Sequence, residues 1–546
     1  MKKTIIISIW NNIDYEKMKI VVDSFKKKFK KRKKIIVITI ISSELMREIK
    51  NAKYRIKNTK YFYVIHKKNY TIIAFCKFRY LYKYLSNYKN LKNLNEIFFL
   101  YNHREMSFLE IKVYLCLKFL KKQIINLPKS IHCLYTDEKY SLKKIIAKSL
   151  KRKTEILIKT YLLYISLSPF LFFRKIFYSI YSKKKEKHIL KNPKKILFIR
   201  VDRFGDMVLS FSSIVALRKK FPKAEIYVLC SPMNADFLIE QNNINKNLRL
   251  KIIVWKDIWD MHGDFIPGLK ELVNLIKNVL VLRKIKFDII IQPISVSVWT
   301  LLSLFLKSNI IISTINRKLL LFRLLEPFIP IPSTIEKGEY VHCYYQVSNC
   351  LKPFGINHVD ISHPKYDLKT LNKKIRKINL KKSIIINVSA GDKVRVLPNN
   401  KLKKLIKKIT DTYNYEILLI GVEQDFSICE KISKDFDRVI NLCGQTNIND
   451  LIYLFNTAKL LITPDTGTMH LASLCNIYII AYFGAGILRH FAPITKNSYV
   501  IKHELGCSGC GDICFTKAYP KPCIDKITVD EILEAVRKVL KRAEND

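Results

Sequence analysis

Short apolar runs recur along this chain, each ending in a polar or glycine-containing loop and each followed by a stretch with helical spacing. From Lys194 they read "KKILFIRVDRFGD", "AEIYVLC", "LKIIVW" and "FDIIIQP". From Ser383 they read "SIIINVSAGD", "YEILLIGVEQD", "RVINLCG", "AKLLITPDTG" and "IYIIAYFGAG". Continuous apolar runs belong to strands buried on both faces, and strands alternating with helices build a parallel sheet covered by helices. In such sheets ligands bind beyond the carboxyl ends of the strands, which is where these loops fall. The first 140 residues alternate in the same way, with "TIIISIW", "KIIVITII", "YFYVIH", "EIFFLYN" and "SIHCLYT" as strands and 14–28 and 108–125 as helices. The pattern predicts an α/β block over 1–150, a basic aromatic connector over 151–192, and two further α/β blocks over 193–375 and 376–546. No fixed repeat period points to a solenoid.

A chain of 546 residues is too long for one ordinary core, which agrees with several domains. Its 98 Lys+Arg against 45 Asp+Glu leave a formal charge of +53, a balance that suits nucleic acid or an anionic membrane. Lys, Ile and Asn are abundant throughout, and no Arg-rich recognition helix or RNP-like aromatic box accompanies the charge. The expectation is therefore an anionic membrane surface and no specific nucleic acid. The N-terminal "MKKTIIISIWNN" lacks a cleavage site and reads as a strand. The longest apolar stretch, "TYLLYISLSPFLFF" (160–173), is 14 residues long, too short to span a bilayer. Basic residues flank it, which suits a segment lying in the membrane interface, with a buried helix as the alternative. Scattered single cysteines fit a cytoplasmic protein.

Two of the strand–loop–helix junctions carry polar groups placed for chemistry. After "ILFIRV", Gly205 allows a tight turn and Asp206 begins a helix whose Val208, Phe211 and Val215 share one face. Asp206 is either an N-cap or a carboxylate facing a cleft, able to take a proton from a hydroxyl. After "KLLITP", the residues Asp465, Thr466, Gly467 and His470 stand at a second helix start, where backbone N–H groups and the helix dipole attract a diphosphate. Their structural alternatives are a cap and a helix-face histidine. The Asp-Thr-Gly is not that of an aspartic protease, because a helix follows and the chain has no second copy.

The segment "ILFIRVDRFGDMVLSFSSIVALRKKFPKAEIYVL" resembles the opening of glycosyltransferase family 9, the ADP-heptose:lipopolysaccharide heptosyltransferases, in its strand, R-x-D-x-x-G-D and helix. "NLCGQTNINDLIYLFNTAKLLITPDTGTMHLASLCNIYIIAYFGAG" is similar to that family's signature region. The resemblance runs from about Lys194 to the C-terminus and leaves residues 1 to about 190 uncovered. It implies a GT-B fold, with two Rossmann-like domains facing a cleft and an extra N-terminal α/β domain beside them. It implies Asp206 as catalytic base, with Arg203 and Gly205 on the acceptor side. Asp465, Thr466, Gly467 and His470 would hold the donor. The implied reaction is an inverting, metal-independent transfer of a sugar, heptose by family default, from an ADP-activated donor to a lipid-linked saccharide. It would take place at the inner face of the cytoplasmic membrane, with no cofactor needed for catalysis. A non-catalytic binding or scaffold protein on the same fold is the rival reading.

In "NVSAGDKVRVLPNN", Ser389 and Gly391 open a loop able to approach phosphate. The family's basic residue there maps onto Arg395, with Lys393 as a rival and Leu397 in place of the usual Trp. In "LLIGVEQDF" the family's ribose-holding acid fits Glu423 or Asp425, Glu423 being placed first. Cys507, Cys510, Cys514 and Cys523 are spaced C-x2-C-x3-C-x8-C and could hold structural zinc or an iron–sulfur cluster, or stay as thiols. The last helix has Thr528 and Glu531 at capping-box spacing and Ile532, Val536 and Leu540 on one face.

Overall fold

The computed structural model describes residues 169–176, 179, 183–255, 269–294, 297–316, 324–329, 331–335, 341–392, 395–503 and 521–545, together with eight strands between residues 3 and 141. The chain forms two compact units. One comprises Met1–Glu155, Gly484–Gly486 and His503–Lys526; the other comprises Ile156–Phe483, Ile487–Lys502 and Ile527–Asp546.

In the first unit, β1 (Lys3–Ile9), β2 (Ile35–Ile40), β3 (Ile56–Asn58), β4 (Phe62–Lys67), β5 (Tyr70–Phe75) and β6 (Leu94–Leu100) form one sheet in the order β3-β4-β5-β2-β1-β6. A separate hairpin pairs β7 (Ser130–His132) with β8 (Lys139–Ser141). The five expected apolar runs each contain a strand. The sheet is mixed, however, not wholly parallel as the alternation predicts, because β4 pairs antiparallel with both β3 and β5. The link from β4 to β5 is Lys68–Asn69, which lacks the glycine that marks a two-residue hairpin in a sequence. The helical stretches 14–28 and 108–125 lie outside the described residues.

The second unit holds two sheets built alike. The first contains β9 (Lys195–Arg200), β10 (Glu225–Cys230), β11 (Leu250–Val254), β12 (Phe287–Gln292), β13 (Ser308–Asn316) and β14 (Ile331–Ile335), in the order β11-β10-β9-β12-β13-β14. The second contains β15 (Ser383–Asn387), β16 (Glu416–Ile420), β17 (Val439–Asn441), β18 (Leu460–Pro464), β19 (Tyr478–Phe483) and β20 (Ser498–Lys502), in the order β17-β16-β15-β18-β19-β20. Every pairing in both sheets is parallel. Counted within each half, the order is 3-2-1-4-5-6, the Rossmann arrangement, whose topological switch point lies between the first and fourth strands. The reason is legible in the residues. Ile196–Ile199 and Ile384–Ile386 are buried, and such runs satisfy a strand covered by helices on both faces.

Helices packed about these sheets include α1 (Phe204–Lys220), α2 (Pro232–Ile244), α3 (Cys343–Asn349), α4 (Asn399–Thr412), α5 (Ile448–Thr457), α6 (Gly467–Ser473) and α7 (Val529–Asn545). One continuous apolar core joins both halves, running from Phe198, Val208 and Phe211 to Met469, Leu471 and Phe483. The helix α4 buries Leu402, Leu405, Ile406 and Ile409 along one stripe. The expected capping box forms at α7: the Thr528 amide donates to Glu531 Oε2 at 2.8 Å, and the Glu531 amide donates back to Thr528 Oγ1 at 3.2 Å. Ile532, Val536 and Leu540 are buried, as the spacing predicts.

Of the apolar connector, residues 169–176 are helical. Leu171 is buried and Phe170 stacks on Phe305 at 4.7 Å, while Phe172 (58 %), Phe173 (69 %) and Ile176 (40 %) are exposed. Residues 160–168 lie outside the described part. Among the described residues no helix is long and apolar enough to cross a membrane.

Candidate functional site

Both chemically equipped junctions leave a strand beside the switch point of its sheet, one at the end of β9 and the other at the end of β18. On the β9 side the N-cap of α1 is Arg203 and not Asp206, which stands in the first helical turn and caps nothing with its side chain. Arg203 is exposed. The arginine on Asp206 is instead Arg200, 2 % exposed at the end of β9. Its guanidinium stands 3.1 Å from Asp202 Oδ1 and 3.2 Å from Asp206 Oδ1, and its Nε–H donates to the Asp206 carbonyl at 3.1 Å. Burial works against the Arg200 charge, but the Asp202 and Asp206 carboxylates, with the hydrogen bond that Nη2 donates to Cys343 Sγ at 3.4 Å, outweigh it, so the guanidinium stays protonated. From α3, the Cys343 thiol lies 3.6 Å from Asp206 Oδ1, and burial pushes it up to about 12, leaving it neutral. The Asp206 carboxylate keeps about a fifth of its surface open.

On the β18 side Asp465 is 3 % exposed, and Thr466 is the N-cap of α6. The helical hydrogen bonds begin with the amides of Met469 and His470, both donating to the Thr466 carbonyl. The amides of Thr466, Gly467 and Thr468 therefore precede the ladder, on residues that are half-buried. Arg395 Nη1 donates to the Asp465 carbonyl and to its Oδ2, each at 3.1 Å. Arg395 is thereby fixed at this turn; Lys393 lies outside the described residues. His470 is buried, its Nδ1 has no hydrogen-bond partner, and it is neutral. Burial, with the His342 and Arg395 charges adding to it, pushes His470 down to about 3.

The two junctions touch. A Cβ built on Gly205 would lie 2.8 Å from His470 Cδ2 and 3.0 Å from Gly467 Cα, and one on Gly467 would lie 2.7 Å from Phe204 Cδ1. Two glycines face each other where the halves meet, and no larger residue fits at either position without a shift. Nearby, His342 caps α3 by accepting from the Tyr344 amide at Nδ1, which leaves Nε2–H to donate to the Ala492 carbonyl at 2.9 Å across the halves. Burial holds this histidine below its ordinary value.

Ser389 and Asp425 are joined by a side-chain hydrogen bond, and the Val422 amide donates to Ser389 Oγ at 2.9 Å. Ser389 thus organises the loop after β16. The rival acids separate by position, since Asp425 is engaged by Ser389 while Glu423 lies over Gly444, whose φ is +69°. Gly391 has open space around its Cα. Cys507, Cys510 and Cys514 lie outside the described residues, and Cys523 is buried in the first unit.

The profile of glycosyltransferase family 9 (heptosyltransferase) matches residues 345–518. The chain carries a glycosyltransferase family 9 domain. The matched region holds Ser389, Gly391, Arg395, Glu423 and Asp465–His470, whereas the Asp206 junction precedes it. Lipooligosaccharide heptosyltransferase 2 of Haemophilus influenzae is 27% identical to this chain over 96 residues, 17% of this chain and 28% of the relative. Lipopolysaccharide heptosyltransferase 3 of Escherichia coli is 23% identical over 304 residues, 54% of this chain and 84% of the relative. The match to the Haemophilus protein thus spans under a third of that protein's length. The crystal structure of the family 9 glycosyl transferase from Veillonella parvula superposes with a TM-score of 0.50 at 18% identity, covering 64% of this chain and 98% of that one. At that identity the likeness concerns the fold, the paired α/β halves of the second unit. The second unit therefore gathers Asp206, Gly205, Asp465–Gly467, His470 and Arg395 at one place. Arg200, Asp202, Cys343 and His342 join them; the first two are the R-x-D of "IRVDRFGD", while no motif contains the other two.

Proposed function

We propose that this protein transfers a sugar, heptose by family default, from an ADP-activated donor to a lipid-linked saccharide of the cell envelope, with inversion at the anomeric carbon. The acceptor hydroxyl attacks that carbon while Asp206 takes its proton. The bond to the diphosphate breaks and its electron pair leaves with ADP. Negative charge on the leaving diphosphate is met by the amides of Thr466–Thr468, by neutral His470 acting as a hydrogen-bond donor, and by Arg395. Those groups suffice for the leaving charge in this reading, so no metal is assigned to the step. Glu423 is assigned the donor's ribose, and Ser389 keeps that loop in place.

The observation that carries the reading is the contact of the two junctions. It sets a partly open carboxylate beside an anion-favouring turn, the spatial relation that holding donor and nucleophile together requires. The surface supports a membrane-bound acceptor. Exposed Phe172, Phe173 and Ile176 in a chain of charge +53 suit the interface of an anionic membrane on its cytoplasmic face.

The test is to incubate the full chain with ADP-heptose and heptose-deficient lipopolysaccharide, following ADP release and heptose incorporation. The wild-type protein should transfer, and Asp206→Asn should lose transfer while keeping the donor-induced rise in melting temperature. Transfer by Asp206→Asn at the wild-type rate would overturn the assignment of the base. A chain that neither transfers nor gains stability from the donor would instead fit the scaffold reading.

A further inference from the structure

Asp206 does not meet Arg200 alone. The strand β9 ends at Arg200, and Asp202 follows two residues later, on the same side of an extended segment. The first turn of α1 then returns Asp206 to the same guanidinium. Both carboxylates approach it, Asp202 Oδ1 at 3.1 Å from Nε and Asp206 Oδ1 at 3.2 Å from Nη2. The two contacts differ in kind. The Nε–H donates to the Asp206 carbonyl, so Asp202 Oδ1 sits against the positive charge as a buried oxygen that accepts no hydrogen bond. An ionised oxygen in that position is held by charge alone, whereas a protonated carboxyl there leaves no charge to stabilise.

We propose that the proton drawn from the acceptor hydroxyl is held by a carboxylate pair, Asp202 and Asp206 on one buried guanidinium, in which Asp202 is the positioning residue of the base.

With both carboxylates ionised, the three groups carry a net charge of −1, and one proton brings them to neutrality. Without Asp202, Arg200 and Asp206 would already be neutral, and a proton would leave an uncompensated positive charge in a buried place. Coulomb's law therefore favours proton uptake by the pair over uptake by Asp206 with Arg200 alone. The other groups facing the pair do not disturb this balance. Cys343 from α3 is a neutral thiol, and His470 from α6, packed on the neighbouring Gly205, is neutral as well. Burial raises Asp202 well above the ordinary carboxylate range against the pull of the Arg200 charge, and the nearby Asp206 charge raises it further. The proton balance is complete: the hydroxyl O–H breaks, its electron pair forms the new C–O bond, the diphosphate leaves with the old one, and the pair passes the proton to solvent after product release.

Replacing Asp202 should leave the fold intact. The structural bonds at this position go to its main chain, whose carbonyl accepts from Ser231 Oγ at 3.1 Å and from Asn234 Nδ2 at 2.8 Å. The step in which the pair takes the proton rests on the transferase reading, but the pair itself does not, so two readouts are needed.

The first readout is pH-difference infrared spectroscopy of the full chain without ligand, as wild type, Asp202→Asn, Asp206→Asn and Asp202→Glu. A protonated-carboxyl band persisting above the ordinary carboxylate range is expected in the wild type. Either asparagine variant should shift it or abolish it, and Asp202→Glu should retain it. The second readout is kcat against pH. Asp202→Asn should move the acidic limb to lower pH by at least about one unit and lower the plateau about three- to tenfold, with Asp202→Glu restoring the limb. A band that ignores Asp206→Asn would mean that Asp202 titrates by itself and would overturn the proposal. So would an acidic limb and plateau unmoved by Asp202→Asn. A wild-type chain that shows the coupled band but no transfer would reject the transferase reading and leave the pair standing.

Discussion

The contact between Gly205 and Gly467 supports a quantitative prediction. In Gly205→Ala the new methyl group would sit 3.0 Å from Gly467 Cα and 2.8 Å from His470 Cδ2, while ordinary van der Waals contact begins near 3.4 Å. Relieving the backbone contact alone requires the halves to part locally by 3.4 − 3.0 = 0.4 Å. His470 cannot simply rotate away, since it is buried with Phe491 near its ring. Overpacking of this kind costs about 1–3 kcal/mol. If the halves hold, the cost appears as a loss of stability. If they yield, it appears in the closed arrangement, and transfer falls by about five- to 150-fold at about 1.4 kcal/mol per tenfold. The assay is the melting temperature together with the transfer rate of Gly205→Ala, Gly467→Ala and Gly391→Ala. The last is the control, because nothing lies within 4 Å of a Cβ at Gly391, and its melting temperature should equal that of the wild type. Wild-type stability and rate in both Gly205→Ala and Gly467→Ala would refute the claim that these glycines form the approach of the two halves.

Acid should weaken the fold through His470. Its folded value is about 3 against an ordinary 6.5, so between these limits the unfolded chain binds the extra proton and stability falls as pH falls, with no effect above 6.5. At pH 5 the penalty is about 2 kcal/mol, and melting curves at pH 7.5 and pH 5 should converge less in the wild type than in His470→Gln; equal acid sensitivity in the two would rule this histidine out as the source. At the membrane, Phe172→Ser with Phe173→Ser should weaken co-sedimentation with phosphatidylglycerol vesicles by about tenfold or more, since each ring can bury more than half its surface on insertion. Binding unchanged by the double substitution and abolished by salt would leave charge alone as the attraction.

Much of this site was legible in the sequence because strand, loop and helix follow one another within a few residues, and local order decides local geometry. The apolar run before Asp206 and the one before Asp465 had to be buried strands, and Gly205 and Gly467 had to mark tight places. What made them tight was not legible. Each glycine reads as a turn former, yet neither has a positive φ, and the requirement comes from the other glycine some 260 positions away along the chain. Arg200 stands in the R-x-D-x-x-G-D motif, but its role was hidden for a related reason. An arginine closing a strand usually reaches solvent, and Arg203, one position before the loop phenylalanine, looked the better placed of the two. The alternation of an extended chain puts residues 200 and 202 on one side and 203 on the other, and it is Arg203 that ends up exposed. The residues of α3 had no signal at all, because Cys343 and His342 stand at the start of a helix whose contacts with Asp206 and Ala492 join segments 137 and 150 residues apart. Charge makes the same point from the other direction. A total of +53 spread over the chain said nothing about which cation matters, and the one that orders the acid is Arg200, only 2 % exposed, where water screens an ion pair least.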